Sequence, residues 1–202
     1  MAIAINGSSN TITGLAVGGL PDGVVDTDML AAYAVTAAKA TGSAKGITMA
    51  QQWRINTIYT AATGDNFMTS NWEAADEASA GNVGSSMSES SGVFTFPSTG
   101  IYLIHLNVAF YTGASRRYLG CQIHRTIDNS NFYAVAINYS NIKYGSSITH
   151  QAVATSCIFD VSDTSTHKVK FNTSIESSGT AAVYADSTQS RTWVQFTRIG
   201  DT

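Results

Sequence analysis

The chain has 202 residues, enough for one main domain plus an appendage, and enough to bury a core without disulfides or metals. Hydrophobic residues make up an ordinary 44 %, but only 12 % are Asp, Glu, Lys or Arg, against roughly 25 % in a typical soluble domain. Net charge is −3, the nearest thing to a basic cluster is Arg116-Arg117, and no run of about 20 apolar residues occurs, which argues against nucleic-acid binding and against a membrane-spanning helix.

Residues 1 to about 50 differ from the rest: they are rich in Ala, Gly and Thr and contain no Trp or Phe. The first residues lack the basic-then-apolar pattern of a secretory signal. The opening stretch reads as short extended pieces broken at Asn6-Gly7 and Pro21-Asp22-Gly23. A short helix is expected next. Asp26 or Thr27 caps it, Asp28 suits its positive end, and Lys39 and Gly42 suit its terminus. Met29, Leu30, Tyr33 and Ala37 share one face at helical spacing. So short a helix needs a partner to be stable, which makes Met29, Leu30, Tyr33 and Val35 the candidate anchoring residues.

From Gln51 onward the pattern is that of strands. QQWRINTIYT places Trp53, Ile55 and Tyr59 on one face. Val93 and Thr95 belong to a strand that ends at Pro97, which cannot donate a ladder hydrogen bond. After a turn at Ser98-Thr99-Gly100, a long strand runs from Ile101 to Tyr111. It puts Tyr102, Ile104, Leu106, Val108 and Phe110 on an apolar face and Ile101, Leu103, His105, Asn107 and Ala109 on a mixed one. Such a mixed face suits a subunit interface or a sheet sandwich. RYLGCQIHRTI, NFYAVAINYS, ITHQAVATSCIFDV, KVKFNTSI and TWVQFTRIG follow as further strands, with turns at 128–131 and 162–165. The expected class is all-β: an antiparallel jelly-roll sandwich over 51–202, with an N-terminal extended arm and short helix over 1–50.

Candidate chemistry is sparse. Glu73, Asp76 and Glu77 gather in an Ala/Gly-rich segment and read as a solvated loop rather than a carboxylate pair across a cleft. No G-x-S-x-G elbow exists. His105, His124, His150 and His167 lack metal-ligand spacing, and Asp160 with Asp163 falls short of a calcium loop, so no metal, no cofactor and no enzymatic activity are assigned. Cys121 and Cys157 read as buried free thiols. Trp53 and Trp193 read as core residues, whereas Trp72 and Tyr144 read as exposed contacts for a host glycan. The scarcity of charge fits either tight self-association or a β-rich exterior.

GVFTFPSTGIYLIHLNVAFY resembles the complement globular-head family of tumour-necrosis-factor-like jelly rolls. The motif residues are Gly92, Phe94, Thr95, Pro97, Gly100 and Tyr102, with Ile104 in the following aromatic place. Trp193 and Phe196 fit the family's closing strand, although Val194-Gln195 replaces a small Ser-Gly pair there. The resemblance covers about residues 50–202 and implies a homotrimer. The segment INGSSNTITGLAVGGLPDGVVDTDMLAAYAVTAAKATG resembles leader segments of phage tail-fibre and head-associated proteins. Together these imply a bacteriophage virion protein, assembled in the host cytoplasm. Its expected role is a capsid decoration or cement protein contacting major capsid proteins; the alternative is a short tail fibre contacting tail proteins and host glycan. The absence of heptads, collagen-like triplets or a fixed repeat favours the head.

Overall fold

A computed structural model describes residues 4–6, 11–13, 46–77, 80–176 and 179–202. The chain forms two compact units, Met1–Ala44 and Lys45–Thr202. In the first, β1 (Ala4–Asn6) and β2 (Thr11–Thr13) pair antiparallel, in keeping with the short extended pieces expected there. The expected helix, with Met29, Leu30, Tyr33 and Val35, lies outside the described residues.

The second unit is a sandwich of two antiparallel sheets, and its described residues contain no helix. Its strands are β3 (Met49–Ile55), β4 (Tyr59–Ala61), β5 (Gly64–Phe67), β6 (Trp72–Ala74), β7 (Ser88–Ser90), β8 (Val93–Thr95) and β9 (Gly100–Thr112). β10 (Arg116–Thr126), β11 (Tyr133–Ile142), β12 (Thr149–Val161), β13 (Lys168–Ile175), β14 (Ala181–Val183) and β15 (Trp193–Gly200) complete it. One sheet of seven strands runs β4-β14-β9-β15-β3-β6, with β12 on the other side of β9. The other, of six, runs β11-β10-β13-β8-β7, with β5 also on β13. Arg116-Arg117 opens β10, and the Arg116 guanidinium donates to the Thr180 carbonyl.

The core follows from strand alternation. Tyr102, Ile104, Leu106, Val108 and Phe110 of β9 are all fully buried between the sheets. Leu119, Cys121 and Ile123 of β10 and Val169, Phe171 and Ile175 of β13 face them from the opposite sheet. Phe94 is the hub: Trp53, Trp72, Phe171 and Phe196 surround it at ring-centroid distances of 5.4, 5.1, 5.3 and 5.3 Å. Burying Tyr102 leaves a hydroxyl to satisfy, and it donates to the Ser98 carbonyl at 2.9 Å.

Two glycines of the motif are dictated by backbone. Gly92 has φ +79°, and a Cβ there would strike the Met68 carbonyl oxygen and come within 2.9 Å of Thr69 Cα. Gly100 has φ +144°, and a Cβ would lie 2.7 Å from the Gly200 carbonyl. Pro97 follows β8 as expected.

Trp72 is buried rather than exposed: its indole packs on Phe94 and Phe171 and donates to the Met68 carbonyl at 2.8 Å. Trp193 departs from its expected core position. It shares β15 with inward Val194 and Phe196, so alternation turns it to the outside, where it is half-buried.

Candidate functional site

The outward face of the seven-stranded sheet gathers side chains from four adjacent strands. Register across β12, β9, β15 and β3 sets its side chains in rows. One row is Ile158, Leu103, Thr197 and Ala50; the next is Ser156, His105, Gln195 and Gln52. A third is Ala154, Asn107, Trp193 and Arg54, and beyond it Ala152 pairs with Ala109. Leu103 is 39 % exposed and Ile158 63 %. His105 stacks on the Trp193 ring with centroids 5.2 Å apart and an interplanar angle of 26°. The Asn107 side-chain amide donates to the Arg191 carbonyl at 3.0 Å.

In these rows the sole charged side chain is Arg54, and it is sealed. Its guanidinium is fully buried and donates to Glu77, Asp76 and the Ser187 carbonyl, with Glu73 at 3.6 Å. Burial works against its charged form, but the Asp76 hydrogen bond and the Glu73 and Glu77 carboxylates outweigh that and raise its pKa. Glu73, Asp76 and Glu77 are therefore not a solvated loop: they fold over Arg54, and Glu73 lies in β6. These rows are therefore neutral on the outside, whereas the next row, Asp160, Ile101 and Gly200, adds the exposed Asp160 carboxylate at the edge of the face. Small uncharged groups lose little hydration when covered.

The described residues contain no group of three His, Cys, Asp or Glu side chains placed to hold a metal ion. Both cysteines are free. Burial pushes the Cys121 thiol up to about 12 and the Cys157 thiol up to about 11, the latter against the pull of Arg125. His150 sits among Tyr111 and Tyr184, 5.6 and 5.0 Å from their ring centroids. Tyr144 is 40 % exposed, as its sequence context implies. The motif residues Gly92, Phe94, Pro97, Gly100, Tyr102 and Phe196 serve the fold; of the motif set, Trp193 alone belongs to this face. The mixed face of β9 was legible from alternation. The contributions of β12 and β15 required register, and the sealing of Arg54 joins residues about 20 apart in sequence with no motif to mark them.

No protein-family model matches the chain, and no curated protein is similar to it in sequence. Solved structures are similar in fold. Murine APRIL at pH 8.5 matches with a TM-score of 0.50 at 12 % identity, over 74 % of this chain and 98 % of that one. Murine APRIL at pH 5.0 gives 0.51 at 11 % identity with the same coverage. Eiger TNF from S. frugiperda gives 0.54 at 12 % identity, over 76 % of this chain and 93 % of that one. The fold is a tumour-necrosis-factor-like jelly roll.

Proposed function

We propose that this chain is a non-enzymatic structural protein of a bacteriophage particle, that three copies associate through the outward face of the seven-stranded sheet, and that residues 1–50 fasten the trimer to neighbouring virion proteins. The observation that carries the association is the face itself: four strands wide, exposing Leu103, Ile158, Trp193 and small neutral residues, with its one cation sealed. The resemblance of the motif around Gly92–Tyr102 to a trimer-forming family supports the number three. A heterologous contact repeated about a three-fold axis closes on itself and leaves no open edge. The phage assignment rests on the sequence of the leader segment.

On the head, such a trimer acts as cement. A protein that binds only the expanded lattice stabilises that lattice by mass action, without any chemistry. The same trimer at a tail-fibre tip contacts a host instead. Electron cryo-microscopy of particles carrying this chain separates the two: three-fold density spread over the shell supports the cement role, and density confined to the tail overturns it. A chain lacking residues 1–42 is expected to remain trimeric and lose particle binding. Decoration of particles by that truncated chain contradicts the anchoring role.

A further inference from the structure

The six-stranded sheet carries a second feature, on the face turned away from the core. Register places Asp65, Ser174, Gly120 and Tyr139 in one row across β5, β13, β10 and β11. Its middle positions, Ser174 and Gly120, are small. Gly64, Asp65, Tyr118, Tyr139 and Ser174 line a groove of about 600 Å³, within the ~300–1,000 Å³ usual for small-ligand sites.

Gly120 explains the aromatic wall. A Cβ at this position would strike the Tyr139 ring and lie 2.6 Å from the Asn138 carbonyl, so glycine is what allows the ring to lie down across β10. Tyr118 meets Tyr139 edge to face, with centroids 5.6 Å apart and planes at 81°. Tyr139 nevertheless remains 50 % exposed.

The opposite wall is polar and braced from below. The Gln122 side-chain amide donates to Asp65 Oδ1 at 3.1 Å, and Gln122 Oε1 lies 2.7 Å from His124 Nε2, an arrangement that assigns the proton to that nitrogen. Gln122 is 2 % exposed, so Asp65 is held by a buried support. Phe67, Asn172, Gln122 and Ile137 form the adjacent row. Asn172 is 3 % exposed, and its Oδ1 has no hydrogen-bond partner among the described residues.

We propose that this groove binds a neutral saccharide. A pyranose presents weakly positive C–H groups on its faces, which suit the electron-rich face of Tyr139. Its hydroxyls both donate and accept. Ser174 does the same, whereas Asp65 accepts and so demands donors. Phosphate, sialate or uronate would meet the Asp65 carboxylate, and the cation beside the groove, Arg117 over the Tyr118 ring at 5.9 Å, is paired with Glu176 at 3.7 Å. The nearby Lys170 ammonium lies instead over Phe132 and Phe67, 4.4 and 5.3 Å from their centroids. The site is on the sheet opposite the association face, and this inference does not depend on the oligomeric state.

Saturation-transfer NMR on the full-length chain tests it, with maltotriose, mannotriose and chitotriose as neutral probes and sialyllactose as the acidic one. Sedimentation of the same samples reports the oligomer separately. At least one neutral probe is expected to bind. Tyr139→Ala and Asp65→Ala are each expected to weaken that binding at least tenfold, and sialyllactose is expected to bind at least tenfold more weakly. Tyr133→Ala, on the same strand and 68 % exposed, should leave it unchanged. Asp65→Asn and Ser174→Ala provide milder variants should the alanine variants misfold. Three results overturn the proposal: no neutral probe binding at about 10 mM, a level at which millimolar affinities are detected; binding indifferent to Tyr139 and Asp65; or preference for the acidic probe.

Discussion

Replacing Phe94 with Ala tests the aromatic hub that joins the two sheets. Phe94 is fully buried and touches four rings at centroid distances of 5.1 to 5.4 Å. Removing a buried Phe side chain costs about 3–5 kcal/mol, the range reflecting how far the surroundings collapse. Collapse is restricted here, because Trp53 and Phe196 belong to one sheet and Phe171 to the other, each fixed by its own ladder. The upper half of the range is therefore expected. For a unit of 150–250 residues, each kcal/mol lowers Tm by about 2–4 °C, so Phe94→Ala should melt roughly 8–20 °C below the parent. Phe94→Leu keeps most of the volume but loses edge-to-face pairs worth about 0.5–1.5 kcal/mol each, not fully additive, and should fall between the two. The assay is calorimetry at fixed protein concentration, since association makes Tm concentration-dependent. Near-ultraviolet circular dichroism should weaken in parallel, because Trp53 and Trp72 both rest on the ring. A Tm change below about 3 °C in Phe94→Ala would refute the hub, on the same scaling.

Other perturbations read other parts of the molecule. Arg54→Met leaves Glu73, Asp76 and Glu77 facing one another without their cation. The carboxylates are partly exposed, which tempers the loss to about 2–4 kcal/mol by urea titration, and a loss under about 1 kcal/mol refutes the sealed network. Cys121, with its thiol pushed from 9.0 up to about 12, carries on the order of a thousandfold less thiolate when folded than when unfolded. Iodoacetamide at pH 8 should spare it until denaturant is added, and rapid labelling of the folded chain contradicts its burial. Burial holds the His124 imidazole below its ordinary 6.5, partly offset by Asp65 and a backbone hydrogen bond to Phe132. The unfolded chain then takes up this proton first, so the contribution of His124 is complete above about 6.5 and is lost as pH falls below it. His124→Gln should show a smaller Tm loss than the parent between pH 7 and pH 5; equal losses refute the assignment.

The sandwich was legible because strand alternation is a local signal. Five inward residues of β9 are fully buried where the alternation puts them, and Gly92, Pro97 and Gly100 mark turns through backbone constraints that any reader of the chain can apply. Trp72 was misread because β6 has three residues, too few for a period, so its burial depends on Phe94 and Phe171, which lie far along the chain. Trp193 faces outward although it is aromatic, because inward Val194 and Phe196 on the same strand fix the parity. The acidic trio looked solvated because nothing near it in sequence announces Arg54. The groove is the least local feature of all, since Asp65, Gly120, Tyr139 and Ser174 become neighbours through three strand pairings.

Sedimentation equilibrium of the full-length chain at several concentrations tests the association most directly. The proposed trimer predicts a single species of about 64 kDa, three times the 21.3 kDa chain, stable to high salt because few charges contribute. A folded species of 21.3 kDa at all concentrations would contradict it.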